Sequence, residues 1–302
     1  MHPNRPVLVI DISNSWTKFG LVRGARLRPA GRLATARLTV RALAALDRQH
    51  QPRLTVIASV VPRALTAVKK VWPPRRRLIV SARLPLPIKI NYPRPRRIGA
   101  DRLANAVATA RLYPLPAIAV DSGTAVTFDI ISKDKAYLGG VIAPGLNAMT
   151  HYLHEKTALL PRLTLREPRR AIGKSTVEAM QIGAITGYRG LIHGVTAAIR
   201  AELRRRRLTV IATGGHAPLI AKHAPFITHV NPLLTLQGLQ FIAEYWTQQD
   251  TEKHRAGTEQ HRVCLIKKNC SSPRLRASAV KTNNNQYADC PRSPETSPAS
   301  PH

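Results

Sequence analysis

Twice along this chain a short aliphatic run ends on an Asp and opens into a turn of small polar residues, and that repetition constrains the fold more than any other feature. Val7 to Ile10 is closed by Asp11, Ser13, Asn14 and Ser15, after which a strand pattern resumes through Phe19 to Val22. Ala117 to Val120 is closed by Asp121, Ser122, Gly123 and Thr124, and Val126 to Ile131 resumes in the same way. Superposing the two Asp residues pairs Ser13 with Gly123, Asn14 with Thr124 and Thr17 with Thr127. A repeat of this kind predicts two similar halves facing each other. Such turns offer backbone N–H groups and hydroxyls to phosphate oxygens, while the Asp can hold a cation or its water shell. Either turn alone also suits an ordinary strand end. Two at matching spacing favour a clamp around phosphate.

The remaining pattern is that of an α/β protein. Leu54 to Val61 is strand-like, Arg75 to Ile90 is punctuated by Pro and extended, and Asp101 to Tyr113 has helical spacing through Leu103, Val107 and Ala110. Gly139 to Gly145 reads as a loop. A long helix is expected from Val177 to about Arg206, with Ile182, Ile185, Ile192, Val195, Ile199 and Leu203 along one face. Gly183, Gly187, Gly190 and Gly194 share a face of it, although each Gly costs about 1 kcal/mol relative to Ala in a helix. Close approach by a second subunit and packing within one subunit both explain that stripe. Leu208 to Ala212 should be a strand running into Thr213, Gly214 and Gly215, followed by a helix after His216 and a last helix from Leu233 to Trp246.

With 302 residues there is material for two ordinary domains, and a net charge of +31 invites a nucleic-acid reading. From Thr247 onward there are nine Lys or Arg against five Asp or Glu, so most of the surplus lies in the folded part. The Arg residues are scattered, lack interleaved aromatic residues to stack bases, and match no zinc-finger or basic-zipper spacing. An Arg-rich solvated surface is therefore expected, with no specific nucleic-acid partner. No apolar stretch reaches the roughly 18 residues of a membrane helix, and Val7 to Ile10 is too short for a secretory leader. Cys264, Cys270 and Cys290 have neither disulfide nor metal spacing, so a reducing, cytoplasmic setting with no membrane partner is the expectation.

Two common nucleotide signatures are absent. No Gly-x-Gly-x-x-Gly follows a strand, and Gly173-Lys174-Ser175 is not a P-loop because Pro168 stands where its first Gly belongs. No His-Glu-x-x-His or paired Cys-x-x-Cys suggests a metal held by protein alone. Instead, Asp11-Ile12-Ser13-Asn14-Ser15-Trp16-Thr17-Lys18 resembles the Asp-x-Gly-Asn-Thr-x-x-Lys opening of the type III pantothenate kinases, and Asp121-Ser122-Gly123-Thr124-Ala125 is similar to their second phosphate turn. Further matches follow in order at Ala58 to Pro62, Tyr92 before Gly99-Ala100-Asp101-Arg102, Leu138 to Gly145, Ile172 to Thr176, Thr213 to Gly215 and Leu234 to Leu239. The resemblance runs from about Val7 to Trp246.

The resemblance implies two actin-like (ribonuclease H-like) halves with mixed sheets flanked by helices, ATP in the cleft between them, and a homodimer. Residues 1–115 would form the first half, 116–246 the second, and 247–302 a disordered polar tail. Asp101 would be the general base, and Tyr92, Gly99, Ala100, Arg102 and Thr176 would contact pantothenate, Thr176 from the partner subunit. Asp11, Ile12, Ser13, Asn14, Ser15, Trp16, Thr17, Lys18 and Thr124 would contact ATP, which brings Mg2+ with it, and Asp121 would hold a monovalent cation, K+ or NH4+. Thr213 to Gly215 would lie near the adenosine. On the residues alone, Asp101 suits a helix N-cap as well as a base. Ser13 and Ser15 depart from the Gly and Thr of the pattern, and Ser13 would be strained if that turn required positive φ.

Overall fold

The computed structural model describes residues 5–270, with side chains described as far as residue 252. Residues up to Gln249 make up one compact unit that contains both of the sheets.

The first sheet has five strands. β1 (Val7–Ile12) pairs antiparallel with β2 (Trp16–Arg23), which pairs antiparallel with β3 (Arg26–Ala34). On its other side β1 pairs parallel with β4 (Leu54–Ser59), and β4 with β5 (Arg77–Ile79). All six residues of β1 are buried, as befits a strand covered on both faces. The second sheet repeats this plan. β7 (Ala117–Ser122) pairs antiparallel with β8 (Ala125–Ile131), which pairs antiparallel with β9 (Ala136–Pro144); β7 also pairs parallel with β10 (Thr209–Thr213), and β10 with β11 (His229–Val230). The order β3-β2-β1-β4-β5 thus returns as β9-β8-β7-β10-β11, with the short β6 (Lys89–Ile90) added in parallel beyond β9.

The two hairpins differ in one respect from the superposition of their Asp residues. Asp11 faces Lys18 across the first ladder, whereas Asp121 faces Thr127 across the second. The second turn is one residue tighter, so Thr127 corresponds to Lys18 rather than to Thr17.

Helices fill the layers. The outward side chains of β1, Leu8, Ile10 and Ile12, pack with α1 (Val40–His50) and α2 (Pro62–Val71) through Leu43, Ala64 and Val68. Its inward side chains, Val7 and Val9, meet α3 (Ala100–Leu112) and α7 (Leu234–Cys270) through Leu103, Val107, Leu239 and Ile242. The same two helices reach the second sheet, where Ala108 and Leu234 pack on Ala117, Ala119 and Ile211. On its far face Ile118 and Val120 pack with α5 (Thr176–Glu202) and α6 (Ala217–Ala221) through Ile185, Tyr188 and Ile220. α4 (Leu146–Lys156) follows β9 and contributes Leu146 to that cluster.

Helices α3 and α7 lie backbone to backbone. A Cβ on Gly238 would collide with the carbonyl oxygen of Ala104 and stand 2.9 Å from its Cα. That contact explains a Gly inside α7, where helix propensity alone disfavours it.

Several expectations are corrected here. Gly139 to Gly145 is not a loop: residues as far as Pro144 belong to β9. The two glycines answer to different needs: Gly139 takes φ +137, and a Cβ on Gly140 would collide with Phe128 O and Arg102 Nη2. α7 continues past Trp246 to Cys270, beyond the helix end expected from the sequence, and residues 271–302 of the segment read as a tail lie outside the described residues. Among the described residues the glycines of α5 meet nothing: a Cβ on Gly183, Gly187, Gly190 or Gly194 would find no heavy atom within 4 Å. Packing against the described part of the subunit therefore does not account for the stripe.

Candidate active site

Both polar turns stand at the carboxyl ends of the central strands, the usual place for a ligand in an α/β sheet. They face each other closely enough for Ser15 Oγ and Thr124 Oγ1 to hydrogen-bond at 2.9 Å. Beneath them opens a cleft of about 500 Å3, lined by Ser13, Ser15, Trp16 and Lys18 on one side, Asp121 to Thr124 on the other, and Gly214, Gly215 and His216.

The first turn is braced from behind. The buried Thr35 hydroxyl donates to the carbonyl of Ser13 at 2.7 Å and shares a 3.0 Å hydrogen bond with Thr17. Thr17 is therefore turned away from the cleft into the packed layer, unlike its neighbour Lys18. Ser13 is not among the residues with positive φ, so the backbone strain anticipated for it does not arise. Its hydroxyl donates to Asp11 Oδ1 at 3.2 Å. Asn14 is exposed beside it, and Ile12 is buried in the outer layer of the first sheet. Trp16 is 45% exposed, with the Arg32 guanidinium 4.8 Å from its ring centroid.

Three carboxylates, Asp11, Asp101 and Asp121, converge behind the turns and influence one another electrostatically. Burial pushes Asp11 up to about 7, the Lys18 ammonium pulls it back, and Asp101 and Asp121 push it up further. Lys18 Nζ lies 3.9 Å from Asp11 Oδ2. Burial is also the main cause of the raised Asp101 and Asp121, with Asp121 adding to the effect on Asp101. Asp121 Oδ2 accepts from Asn105 Nδ2 at 3.2 Å, and Asn105 Oδ1 accepts from Thr235 Oγ1 at 2.8 Å, which ties the second turn to α3 and α7. Gly214 has φ +88, and a Cβ there would collide with Asp121 Oδ1, so only Gly lets this strand-end turn lie against the carboxylate.

Asp101 stands in the first turn of α3 and does not cap it. The N-cap is Gly99, and the Asp101 carboxylate accepts the backbone N–H of Arg102 at 2.8 Å. Asp101 is therefore not the N-cap of α3. Ala100, the first residue of the helix, is buried between them. Arg102 donates from Nε to Asp129 Oδ1 at 2.7 Å and from Nη2 to Phe128 O at 3.3 Å. Tyr92, 37% exposed, stands edge-on to Tyr137 with ring centroids 6.1 Å apart.

Thr176 begins α5, is exposed, and does not line the cleft within its own chain. The segment before it forms a helix start: Ser175 Oγ accepts from Glu178 N, and Glu178 Oε2 accepts from Lys174 N at 2.8 Å.

The sequence reading overlooked Arg32, His151 and Asn147, which line the cleft, and the buried pair Asp129 and Tyr137. Asp129 carried a usable signal, an acid flanked by Phe128 and Ile130 in an otherwise apolar strand. The others lie on a strand and a helix that nothing local connects to the turns.

The cleft fits a magnesium nucleotide. Its walls are hydroxyls and turn backbone around one ammonium, and buried Ser122 Oγ, Thr213 Oγ1 and His216 Nδ1 beside Asp121 have no protein hydrogen-bond partner. Oxygen donors of that kind also suit a hard cation. Among the described residues no group of three or more His, Cys, Asp or Glu could hold a metal ion by itself. No helix among the described residues is long and apolar enough to cross a membrane.

Two sheets of repeated order around a cleft that Asp121 and two polar turns line are the frame of an actin-like fold, and they fit an ATP-dependent phosphotransferase. The family model for type III pantothenate kinase matches residues 7–198. Curated relatives of that description are similar along most of their length. The one from Akkermansia muciniphila is 46% identical over 237 residues, which is 78% of this chain and 97% of that protein. The one from Methylacidiphilum infernorum is 42% identical over 239 residues, 79% of this chain and 88% of that protein. The chain belongs to the type III pantothenate kinase family.

Solved structures agree on the fold. A conserved putative Baf family transcriptional activator from Campylobacter jejuni superposes with a TM-score of 0.53 at 19% identity, covering 80% of this chain and 99% of that one. A putative 2-dehydro-3-deoxygalactonokinase from Sinorhizobium meliloti gives 0.53 at 12% identity, covering 79% and 96%. At such identities the likeness is one of architecture.

Proposed function

We propose that this protein transfers the γ-phosphoryl group of ATP to the primary hydroxyl of pantothenate, giving 4'-phosphopantothenate, the first committed step towards coenzyme A. The observation that carries the reading is a cleft walled by two facing Asp-led turns, joined by the Ser15–Thr124 hydrogen bond, with Asp101 near enough to Asp11 and Asp121 for their charges to interact. Phosphoryl transfer asks mainly for positioning and charge stabilisation. The two turns, Asp11 to Lys18 and Asp121 to Thr124, position the triphosphate. Asp101 accepts the proton that leaves the acceptor hydroxyl, and its raised pKa makes it a better base than an ordinary carboxylate. Pantothenate also carries a carboxylate, which Arg102 and Tyr92 anchor by charge-assisted hydrogen bonding. A monovalent cation, K+ or NH4+, is held at Asp121, and the enzyme works in the cytoplasm. Release of ADP measured over a panel of small hydroxy acids tests this reading; turnover confined to an acid other than pantothenate would overturn it.

Ser13 narrows the first turn where the family pattern has Gly. Ser13→Gly should lower the KM for ATP, because it removes a side chain from the cleft wall without relieving any backbone strain. An unchanged or raised KM in steady-state assays would show that the hydroxyl contributes to binding instead.

The active form is a homodimer built on α5. Among the described residues nothing covers the glycine face of that helix, and Thr176 at its start is exposed away from the cleft of its own subunit. A partner helix lying on the stripe would bring the partner subunit's Thr176 to the acceptor. Mixing inactive Asp101→Asn with an inactive Thr176 variant should then restore activity through hybrid dimers. If subunits are seen to exchange and no activity returns, the shared site is wrong.

A further inference from the structure

Asp129 sits in the middle of β8 with 0% exposure. Burying a carboxylate costs several kcal/mol unless it is well paired, so its presence needs a reason. Its Oδ1 accepts two hydrogen bonds, from Arg102 Nε at 2.7 Å and from Tyr137 OH at 3.1 Å, while Oδ2 has no hydrogen-bond partner among the described residues. Tyr137 is itself buried, and its ring lies 5.9 Å from the Arg102 guanidinium carbon and edge-on to Tyr92. The neighbouring strand is shaped to the same arrangement: Gly140 leaves room for Arg102 Nη2, and Gly139 beside it takes φ +137 next to the ring of Tyr92.

Both residues assigned above to the substrate carboxylate, Arg102 and Tyr92, are therefore seated on one buried pair, Tyr137 and Asp129. We propose that Asp129 is a positioning residue that determines selectivity for an acidic acceptor. The inference rests on the proposed role of Arg102. Asp129 engages the guanidinium by its Nε edge and the Phe128 carbonyl takes one Nη2 hydrogen, which leaves the Nη1 end outside both contacts. A planar guanidinium fixed in this way presents its remaining donors to a carboxylate in one orientation, as a flexible ammonium could not. The arrangement also keeps two neighbours apart. Asp101 directly precedes Arg102 in the chain, and the two charges attract each other. An untethered guanidinium would turn towards Asp101, and the anchor and the base would neutralise each other.

The test compares two acceptors that differ only at the acidic end: pantothenate, and its neutral analogue in which the carboxylate is replaced by a primary alcohol. Asp129→Asn should raise the KM for pantothenate by at least about tenfold, equivalent to 1.4 kcal/mol of lost anchoring. The KM for the alcohol should change by less than about threefold, and kcat should fall by a smaller factor than the pantothenate KM rises. Tyr137→Phe keeps the ion pair and removes one of its hydrogen bonds, so it should shift the same ratio in the same direction by a smaller amount; it serves as the arm if Asp129→Asn does not fold. Equal KM changes for the two acceptors, in whichever variant folds, would show a merely structural role and overturn the proposal. Should the wild-type enzyme turn over a different hydroxy acid and not pantothenate, the function proposed above falls by itself. The comparison is then made with that acid and its alcohol, and equal changes again overturn the role of Asp129.

Discussion

Replacing Asp101 by Asn should lower turnover on pantothenate by at least about a hundredfold while leaving the fold intact, because a positioned general base contributes about a hundred- to ten-thousand-fold. The side chain keeps its shape and loses its ability to take a proton. Gly99 is the N-cap of α3, and the Asn amide oxygen can still accept the Arg102 backbone N–H that Asp101 takes. Stability at neutral pH should rise slightly, and the sign follows from the raised pKa. A carboxyl whose folded pKa exceeds its unfolded value of 3.8 weakens the fold as pH rises through that interval, because the folded state holds its proton more tightly. Asn carries no such penalty and no repulsion from Asp121. A large loss of kcat together with an equal or higher Tm is therefore the expected pair of results. Turnover within a few-fold of wild type would remove Asp101 from the chemistry.

The second large effect is expected far from the cleft. Gly238→Ala should cost about 3 kcal/mol, the upper part of the usual range for overpacking, because a Cβ there collides with the backbone of Ala104 rather than with a side chain that could rotate away. For a chain of this size that corresponds to a fall in Tm of about 6 to 12 °C. Helix propensity works the other way by only about 1 kcal/mol. Because Ala104 and Asp101 share the first turns of α3, kcat should fall as well. An unchanged or raised Tm in calorimetry would mean that α3 and α7 are not in backbone contact.

The parts of this protein that were legible in its sequence are those with a local period. β1 and β7 showed as aliphatic runs closed by Asp, and α5 showed through its isoleucines at helical spacing. β3 did not show, because it is an edge strand rich in Arg whose residues are largely exposed, and no apolar alternation marks it. α2 was hidden by the Pro62 that begins it, since Pro at the first helical position reads from sequence as a break. The glycines of β9 suggested a loop for a comparable reason: Gly139 answers to a positive φ and Gly140 to the approach of Phe128 O and Arg102, neither of which shows in the local sequence. At the site, the Asp-led turns and Asp101 were visible as motifs. The links from Asp121 to Asn105 and Thr235, and from Arg102 to Asp129, span from 16 to 130 residues and leave no local trace.

The one-residue difference between the two hairpins has a consequence for how a nucleotide lies. A frame built from two equal halves would present ATP with two degenerate orientations, related by the rotation that exchanges the sheets. Cross-strand partners share a face in both hairpins, so the halves differ in which residue the shorter turn delivers to the position opposite the Asp. The position opposite Asp11 holds Lys18, a cleft-lining ammonium, while the position opposite Asp121 holds Thr127, which carries no charge and is not part of the cleft wall. A polyanion entering this otherwise symmetrical frame finds its cation on one side only, and the approximate twofold becomes a directed site with a phosphate end and a nucleoside end.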